Sequence, residues 1–302
     1  MRVAVFIEPQ QGASYADQLR LALHAEQLGF EAFFRSDHFL RMGKRSGMPG
    51  PTDSWATLAA LAVQTSRIRL GTLLTSATFR MPGLLAITVA QVDQMSGGRV
   101  ELGLGAGWYD AEHTAYGVPF PPVRERFDRL EEQLAIITGL WTTPPGELFS
   151  FHGKHYQLAD SPALPKPAQS PRPPIIVGGA GPKRTPELAA RFADEFNVPF
   201  RSVADTREVY QRVTQACQEL SRPQPVYSVA QTVACGRTDG DAKRRAEAIG
   251  GPPPLYGTPD QVAEQIAQFA QAGASRVFLQ ILDLSDLDHL DVLMGEVLPQ
   301  LA

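Results

Sequence analysis

Ser96-Gly97-Gly98-Arg99-Val100-Glu101-Leu102-Gly103-Leu104-Gly105-Ala106-Gly107-Trp108 is the stretch on which the fold turns. Gly97 can take the left-handed conformation that ends a helix. Residues 100–104 read as a short strand. Gly105, Ala106 and Gly107 then leave a backbone bare enough for a planar or anionic ligand to approach closely. In parallel α/β folds such a loop lies at the carboxyl end of a strand, where ligands bind.

Working outward, eight short apolar segments read as buried parallel strands: 3–7, 31–35, 68–74, 100–104, 174–177, 194–198, 226–234 and 276–282. Helical patterns fill most of the intervals. Phe127, Leu130, Leu134, Ile137 and Trp141 step three and four residues along one face, as do Tyr15, Leu19, Ala22 and Ala25 before Gly29. Leu287, Leu290, Met294 and Val297 form the last stripe. Strand and helix alternating eight times favour a closed (β/α)8 TIM barrel over an open sheet. A dinucleotide-binding reading fails, because Glu8-Pro9-Gln10-Gln11-Gly12 follows the first strand where a G-x-G-x-x-G loop is required.

One segment breaks the rhythm, so the expectation is a single barrel domain over 1–302 with an irregular hairpin and proline-rich insertion at about 146–174. Residues 148–151 and 154–158 flank His152-Gly153, a plausible hairpin turn. Residues 161–174 hold six prolines and no periodicity, either a lid or an inert surface loop.

The 302 residues carry a net charge of −4, which argues against nucleic acid as a partner. No apolar run approaches the roughly 18 residues of a membrane helix, and Glu8-Pro9 cuts short the apolar start. The two cysteines, Cys217 and Cys235, have neither metal-ligand nor secreted-disulfide spacing. The chain reads as soluble and cytoplasmic, with a small-molecule substrate, no membrane and no metal.

In a barrel the residues just past each strand form the active face. Here they are Glu8, Asp37-His38, Leu74-Thr75, Gly105-Ala106-Gly107, Gly178-Gly179, Asn197 and Gln280. Few of these are charged, which suits a flat, partly apolar ligand with an anionic tail. An adjacent Asp and His can manage a proton near neutral pH. His24, His113, His152, His155 and His289 lack this placement and read as structural or surface residues. Gly178, Gly179, Ala180 and Gly181 precede a helix that Thr185 can cap and Pro186 can start. Free amides there, with Lys183 and Arg184 close by, make an anion site. Arg41, Lys44 and Arg45 read as a solvated loop or as a steering patch for an acidic tail. Glu112, Arg124, Glu125, Arg126 and Asp128 read as helix-surface ion pairs.

At these residues the chain resembles the luciferase-like monooxygenase superfamily, specifically its oxidoreductases that depend on coenzyme F420, a deazaflavin. The marks are Ser36-Asp37-His38, Ile68-Arg69-Leu70-Gly71-Thr72-Leu73-Leu74, Ser96-Gly97-Gly98-Arg99 leading to Gly103-Leu104-Gly105-Ala106-Gly107-Trp108, Glu112-His113 before Tyr116-Gly117, Glu125-Arg126-Phe127 and Val177-Gly178-Gly179. The resemblance implies hydride transfer between F420 and a small organic substrate. His38 would handle the substrate proton and Asp37 would orient it, close to the reactive ring. It also implies a bulge with a non-proline cis peptide at Leu73-Leu74 behind the ring. Gly105, Ala106 and Gly107 would lie along ring and ribityl chain, with Gly178, Gly179, Ala180 and Gly181 on the phosphate. Homodimers are common in that family. The same barrel serves two-component monooxygenases using reduced FMN, and a flavin-binding protein without turnover is a third alternative. Related sugar-phosphate dehydrogenases carry a catalytic glutamate where Trp108 stands, so Trp108 reads instead as an apolar wall of a substrate pocket that includes Glu8.

Overall fold

A computed structural model describes residues 1–43 and 45–301. Lys44, grouped above with Arg41 and Arg45, lies outside the described residues. In chain order the elements are β1 (Arg2–Ile7), α1 (Tyr15–Leu28), β2 (Ala32–Arg35), α2 (Ser54–Gln64), β3 (Arg69–Thr72), β4 (Thr75–Ser76), α3 (Pro82–Ser96), β5 (Val100–Gly105), α4 (Asp110–Tyr116) and α5 (Val123–Thr142). There follow β6 (Phe149–His152), β7 (Gln157–Ser161), β8 (Ile175–Gly178), α6 (Arg184–Phe192), β9 (Glu195–Pro199), α7 (Val203–Glu219) and β10 (Val226–Cys235). The last are α8 (Asp239–Ile249), β11 (Leu255–Gly257), α9 (Pro259–Gln271), β12 (Arg276–Ile281) and α10 (Leu287–Val292).

Eight strands pair in parallel around a ring, β1-β2-β3-β5-β8-β9-β10-β12, and β12 returns to β1, so the barrel is closed. Strand side chains alternate between two buried environments, which is why the segments read as continuous apolar runs. Val3, Val5 and Ile7 pack outward under the helices, while Ala4 and Phe6 join Ala32, Phe34, Ile176, Ala230 and Phe278 inside the ring. Gly29 and Gly97 stop α1 and α3 in the left-handed conformation, as their sequence positions imply.

The third strand departs from the continuous run 68–74 read from the pattern and has the bulge at Leu73-Leu74 that the resemblance implies. Its regular part ends at Thr72, the Leu73-Leu74 peptide is cis, and Thr75–Ser76 resumes pairing with β5. The kink turns Leu74 inward, where a Cβ on Gly103, Gly105 or Gly178 would stand 2.7, 3.0 or 3.1 Å from its side chain. Those glycines therefore make room for a leucine of the protein itself as well as thinning the backbone. The β11 strand beside β10 was not foreseen.

The insertion forms the β6–β7 hairpin, but β7 begins at Gln157 rather than at 154. The N–H groups of Lys154, His155 and Tyr156 all donate to the Glu132 carboxylate of α5, at 2.7, 2.9 and 2.9 Å, and so are not available to a ladder. The proline-rich run beyond it is tied down at the amino end of the barrel. Gln169 donates to Asp93 and to the Val100 carbonyl, each at 2.7 Å, and accepts from Arg69 at 3.1 Å. It contributes nothing to the lining of the cavity at the opposite end.

Candidate active site

The carboxyl ends of the strands open onto a cavity of about 550 Å³. Glu8, Asp37, His38, Leu73, Leu74, Gly105, Ala106, Gly107, Trp108, Gly178, Gly179, Ala180, Gly181 and Asn197 line it. Gln280 does not; it accepts a hydrogen bond from the Thr232 hydroxyl.

Each wall is set by a different strand end. β2 delivers Asp37 and His38. Asp37 is buried and its two oxygens accept from Arg80 at 3.2 and 3.1 Å. It therefore holds Arg80 and not the imidazole. His38 is held by α4, whose Glu112 Oε1 lies 2.8 Å from Nδ1. The second oxygen of Glu112 accepts the Phe39 N–H at 2.9 Å, and the side chain is 1% exposed. The surface-pair expectation for Glu112 is thus corrected. Arg126 is corrected too, since its guanidinium lies 3.9 Å over the Phe120 ring at the cavity edge. The surface-pair expectation fits Glu125, which pairs with Arg129, and Asp128, which pairs with Arg184.

Glu8 lies just past β1, half-buried at the cavity wall. Burial pushes its carboxyl above the ordinary range, against the pull of His38, Gln11 and Arg45. Arg45 itself donates to the Leu282 carbonyl, and Arg41 to Gly43.

Behind the glycine loop runs a hydroxyl chain that sequence reading missed. His113, buried between Phe79 and Phe120, has Nδ1 2.8 Å from the Tyr109 carbonyl and Nε2 2.6 Å from Thr78 Oγ1. A carbonyl only accepts, so Nδ1 carries the hydrogen; on a neutral ring, Nε2 then accepts from Thr78. Thr78 accepts in turn from Ser76 at 2.6 Å, and Ser76 lines the cavity. Gly107, at φ +78, leaves space for that serine.

At the far wall, α6 starts at Arg184 with no side-chain cap. Thr185 lies inside the first turn and does not cap it. Arg184 is committed to Asp128 and Glu131, each at 2.8 Å. Gly179 donates to the Asn197 carbonyl, while the Ala180 and Gly181 N–H groups have no partner among the described residues. Uncapped amides at a helix start suit an anion.

The luciferase-like monooxygenase family matches residues 1–252. The chain belongs to that family. An F420-dependent glucose-6-phosphate dehydrogenase of Microbacterium testaceum is 36% identical over 173 residues, 57% of this chain and 49% of that protein. The chain thus spans about half the length of the glucose-6-phosphate dehydrogenases it matches. An uncharacterized protein of Mycobacterium tuberculosis is 30% identical over 289 residues, 90% of this chain and 97% of that one. Among solved structures, an F420-dependent secondary alcohol dehydrogenase in complex with an F420-acetone adduct superposes with a TM-score of 0.84 at 19% identity, covering 100% of this chain and 99% of the other. That likeness speaks for the barrel.

Among the described residues no helix is long and apolar enough to cross a membrane.

Proposed function

We propose that this protein is an oxidoreductase that moves a hydride between coenzyme F420 and a small organic substrate. The observation that carries the reading is the joining, in one cavity, of an apolar floor at Leu73 and Leu74, unpartnered amides at Ala180 and Gly181, and a carboxylate-held imidazole. A flat ring with an anionic tail fits that set. The F420-dependent dehydrogenases at 36–37% identity support it.

When bound, the deazaflavin supplies the hydride chemistry. Leu73 and Leu74 would back its ring, with Asp37 near the ring edge. Gly105, Ala106 and Gly107 would flank the ring and ribityl chain. Ala180 and Gly181 would hold the phosphate through their backbone donors, with Gly178 and Gly179 lining the same loop. His38 would hold or move the substrate proton, and Glu8 would line the substrate side. Trp108 stands at the mouth, 65% exposed and with its ring 5.6 Å from that of His38. It offers an apolar wall where a sugar-phosphate dehydrogenase has a carboxylate, so the substrate class is small and weakly charged.

The reading also includes a homodimer and a cytoplasmic site of action. Val63 on α2 and Leu84, Ile87 and Met95 on α3 are exposed apolar side chains on neighbouring helices, a face that a second copy would cover. Cys217 and Cys235 are buried and unpaired, in keeping with a reducing compartment.

The test is equilibrium binding of purified protein to F420 and to FMN, followed by turnover with an alcohol and carbonyl panel. F420 should bind more tightly and should change redox state with a substrate. Tighter FMN binding with oxygen consumption would replace the reading with a monooxygenase. Cofactor binding without any turnover would leave a carrier protein. Sedimentation of Leu84→Asp should show monomers where the parent sediments as a dimer.

A further inference from the structure

We propose that Glu112 is the positioning residue that fixes the tautomer of His38, so that the ring turns a bare, hydrogen-bond-accepting Nε2 toward the cavity. The inference rests on the reading that His38 handles a proton, and adds which edge of the ring is presented and by what means.

Glu112 projects from α4, 74 residues along the chain from His38, and is 1% exposed. Both of its oxygens are engaged: one accepts the Phe39 N–H at 2.9 Å, the other lies 2.8 Å from His38 Nδ1. A carboxylate has no hydrogen to give, so the bond to the ring exists only if Nδ1 carries one. A neutral imidazole carries a single ring hydrogen, and Nε2 is then a lone pair. Nε2 has no hydrogen-bond partner among the described residues, and His38 lines the cavity. The Phe39 bond holds the carboxylate to the same loop that bears the histidine. The indole and phenol rings of Trp108 and Tyr109, at 5.6 and 6.1 Å, flank the imidazole edge-on.

Adjacency in sequence suggests Asp37 for this task, but its two oxygens are taken by Arg80. The division of labour is therefore spatial. The neighbour in the chain anchors an arginine, and a distant helix orients the ring. A bound molecule meets an acceptor at Nε2 and must offer it an O–H or N–H, which makes the neutral ring a base in the first step. Replacing the carboxylate by an amide should invert this. In Glu112→Gln the amide oxygen can keep the Phe39 N–H while the amide nitrogen faces Nδ1, which favours the tautomer with hydrogen on Nε2. The same inversion disables the triad histidine of serine proteases when its aspartate becomes asparagine, at a cost of about 10⁴ in kcat.

The direct experiment is the two-bond proton–nitrogen correlation spectrum of ¹⁵N-histidine-labelled, ligand-free protein at a pH of about 8.5, where a free imidazole is neutral. His38 is assigned from the signal lost in His38→Gln. The expected result is the Nδ1–H tautomer in the parent, the Nε2–H tautomer in Glu112→Gln, and a return to Nδ1–H in Glu112→Asp. An Nε2–H tautomer or a doubly protonated ring in the parent would overturn the proposal, as would the same tautomer in parent and Glu112→Gln. The parent spectrum decides by itself should the variant not fold. Because it needs neither cofactor nor substrate, failure of the F420 reading leaves this result standing. With turnover in hand, Glu112→Gln should lower kcat by about 10²–10⁴ with KM and cofactor affinity within about threefold. Parallel loss of cofactor affinity would point to a merely structural role.

Discussion

The two ends of the barrel treat charge in opposite ways. At the amino end Arg276, fully buried, reaches across the ring to Glu101 at 2.8 Å and Glu195 at 3.0 Å, with Arg69 on the far side of Glu101 at 2.5 Å. Its guanidinium is also stacked near Phe34 and Phe278, at 5.1 and 4.6 Å. These groups answer one another inside the cylinder, and the end is plugged. At the carboxyl end Asp37 and His38 are answered from outside it, by Arg80 and by Glu112 of α4. The ring mouth keeps bare backbone, Leu74 and a free imidazole edge, with Glu8 and Asn197 beside them. One closed set of strands thus makes a seal and a socket, and the difference lies in where the partners of the polar groups come from.

Removing the centre of the seal should have the largest effect on stability. Burial opposes the charge on both carboxyls, but two guanidinium groups hold Glu101 below its ordinary range, whereas Glu195 stays above it. Arg276→Met takes away the close partner of Glu195 and one of the two partners of Glu101, which keeps Arg69. A loss of about 3–5 kcal/mol is expected in urea denaturation at neutral pH, because an uncompensated charge remains buried. A loss under about 1 kcal/mol would show that the plug is not a seal.

A polar group at the carboxyl end but outside the ring tests whether position alone matters. His289 of α10 accepts the Cys235 N–H at Nε2, 3.0 Å away, and so must be neutral. Burial, with the Arg245 charge, pushes its pKa down to about 4 from 6.5, against the opposing pull of Asp286. Between those values the unfolded chain takes up a proton that the folded chain refuses. Stability present above pH 6.5 should therefore fall by about 3 kcal/mol as pH drops toward 4. Stability curves against pH for the parent and His289→Gln should differ by that slope, and superimposable curves would remove His289 as the acid-sensitive group.

His38→Ala sharpens the contrast. The ring is partly open to the cavity, and Glu112 keeps its bond to Phe39. Stability should fall by about 1 kcal/mol or less, while turnover falls by about 10²–10⁴. A stability loss matching that of Arg276→Met would erase the distinction between seal and socket.

Much of this was legible in the chain, and the exceptions share a cause. Strands 3–7 and 276–282 could be read because both of their faces are buried, which leaves an uninterrupted apolar run. The break after Thr72 could not be derived from pattern, since Leu73 and Leu74 look like two more strand residues. Glu112 was misread because acids on short helices are normally solvated. The helix did hold a clue: α4 buries only Glu112 and His113 and exposes Ala111 and Ala115. A helix whose apolar residues are this sparse must turn polar ones inward. What they meet, Phe39 and Thr78, comes from other loops, and no local pattern encodes that.

Trp108→Ala should have the smallest effect on stability and still be informative. The indole is 65% exposed and stacks on Tyr109 at 5.3 Å, so little buried contact is lost and stability should stay within about 0.5 kcal/mol. Its removal opens the wall beside the imidazole without touching the carboxylate that aims the ring. KM for the preferred substrate should rise by up to about tenfold, and the tautomer of His38 should not change. A changed tautomer would mean that packing by the rim, and not Glu112, sets the ring. The socket would then depend on its exposed edge in a way the seal at the other end does not.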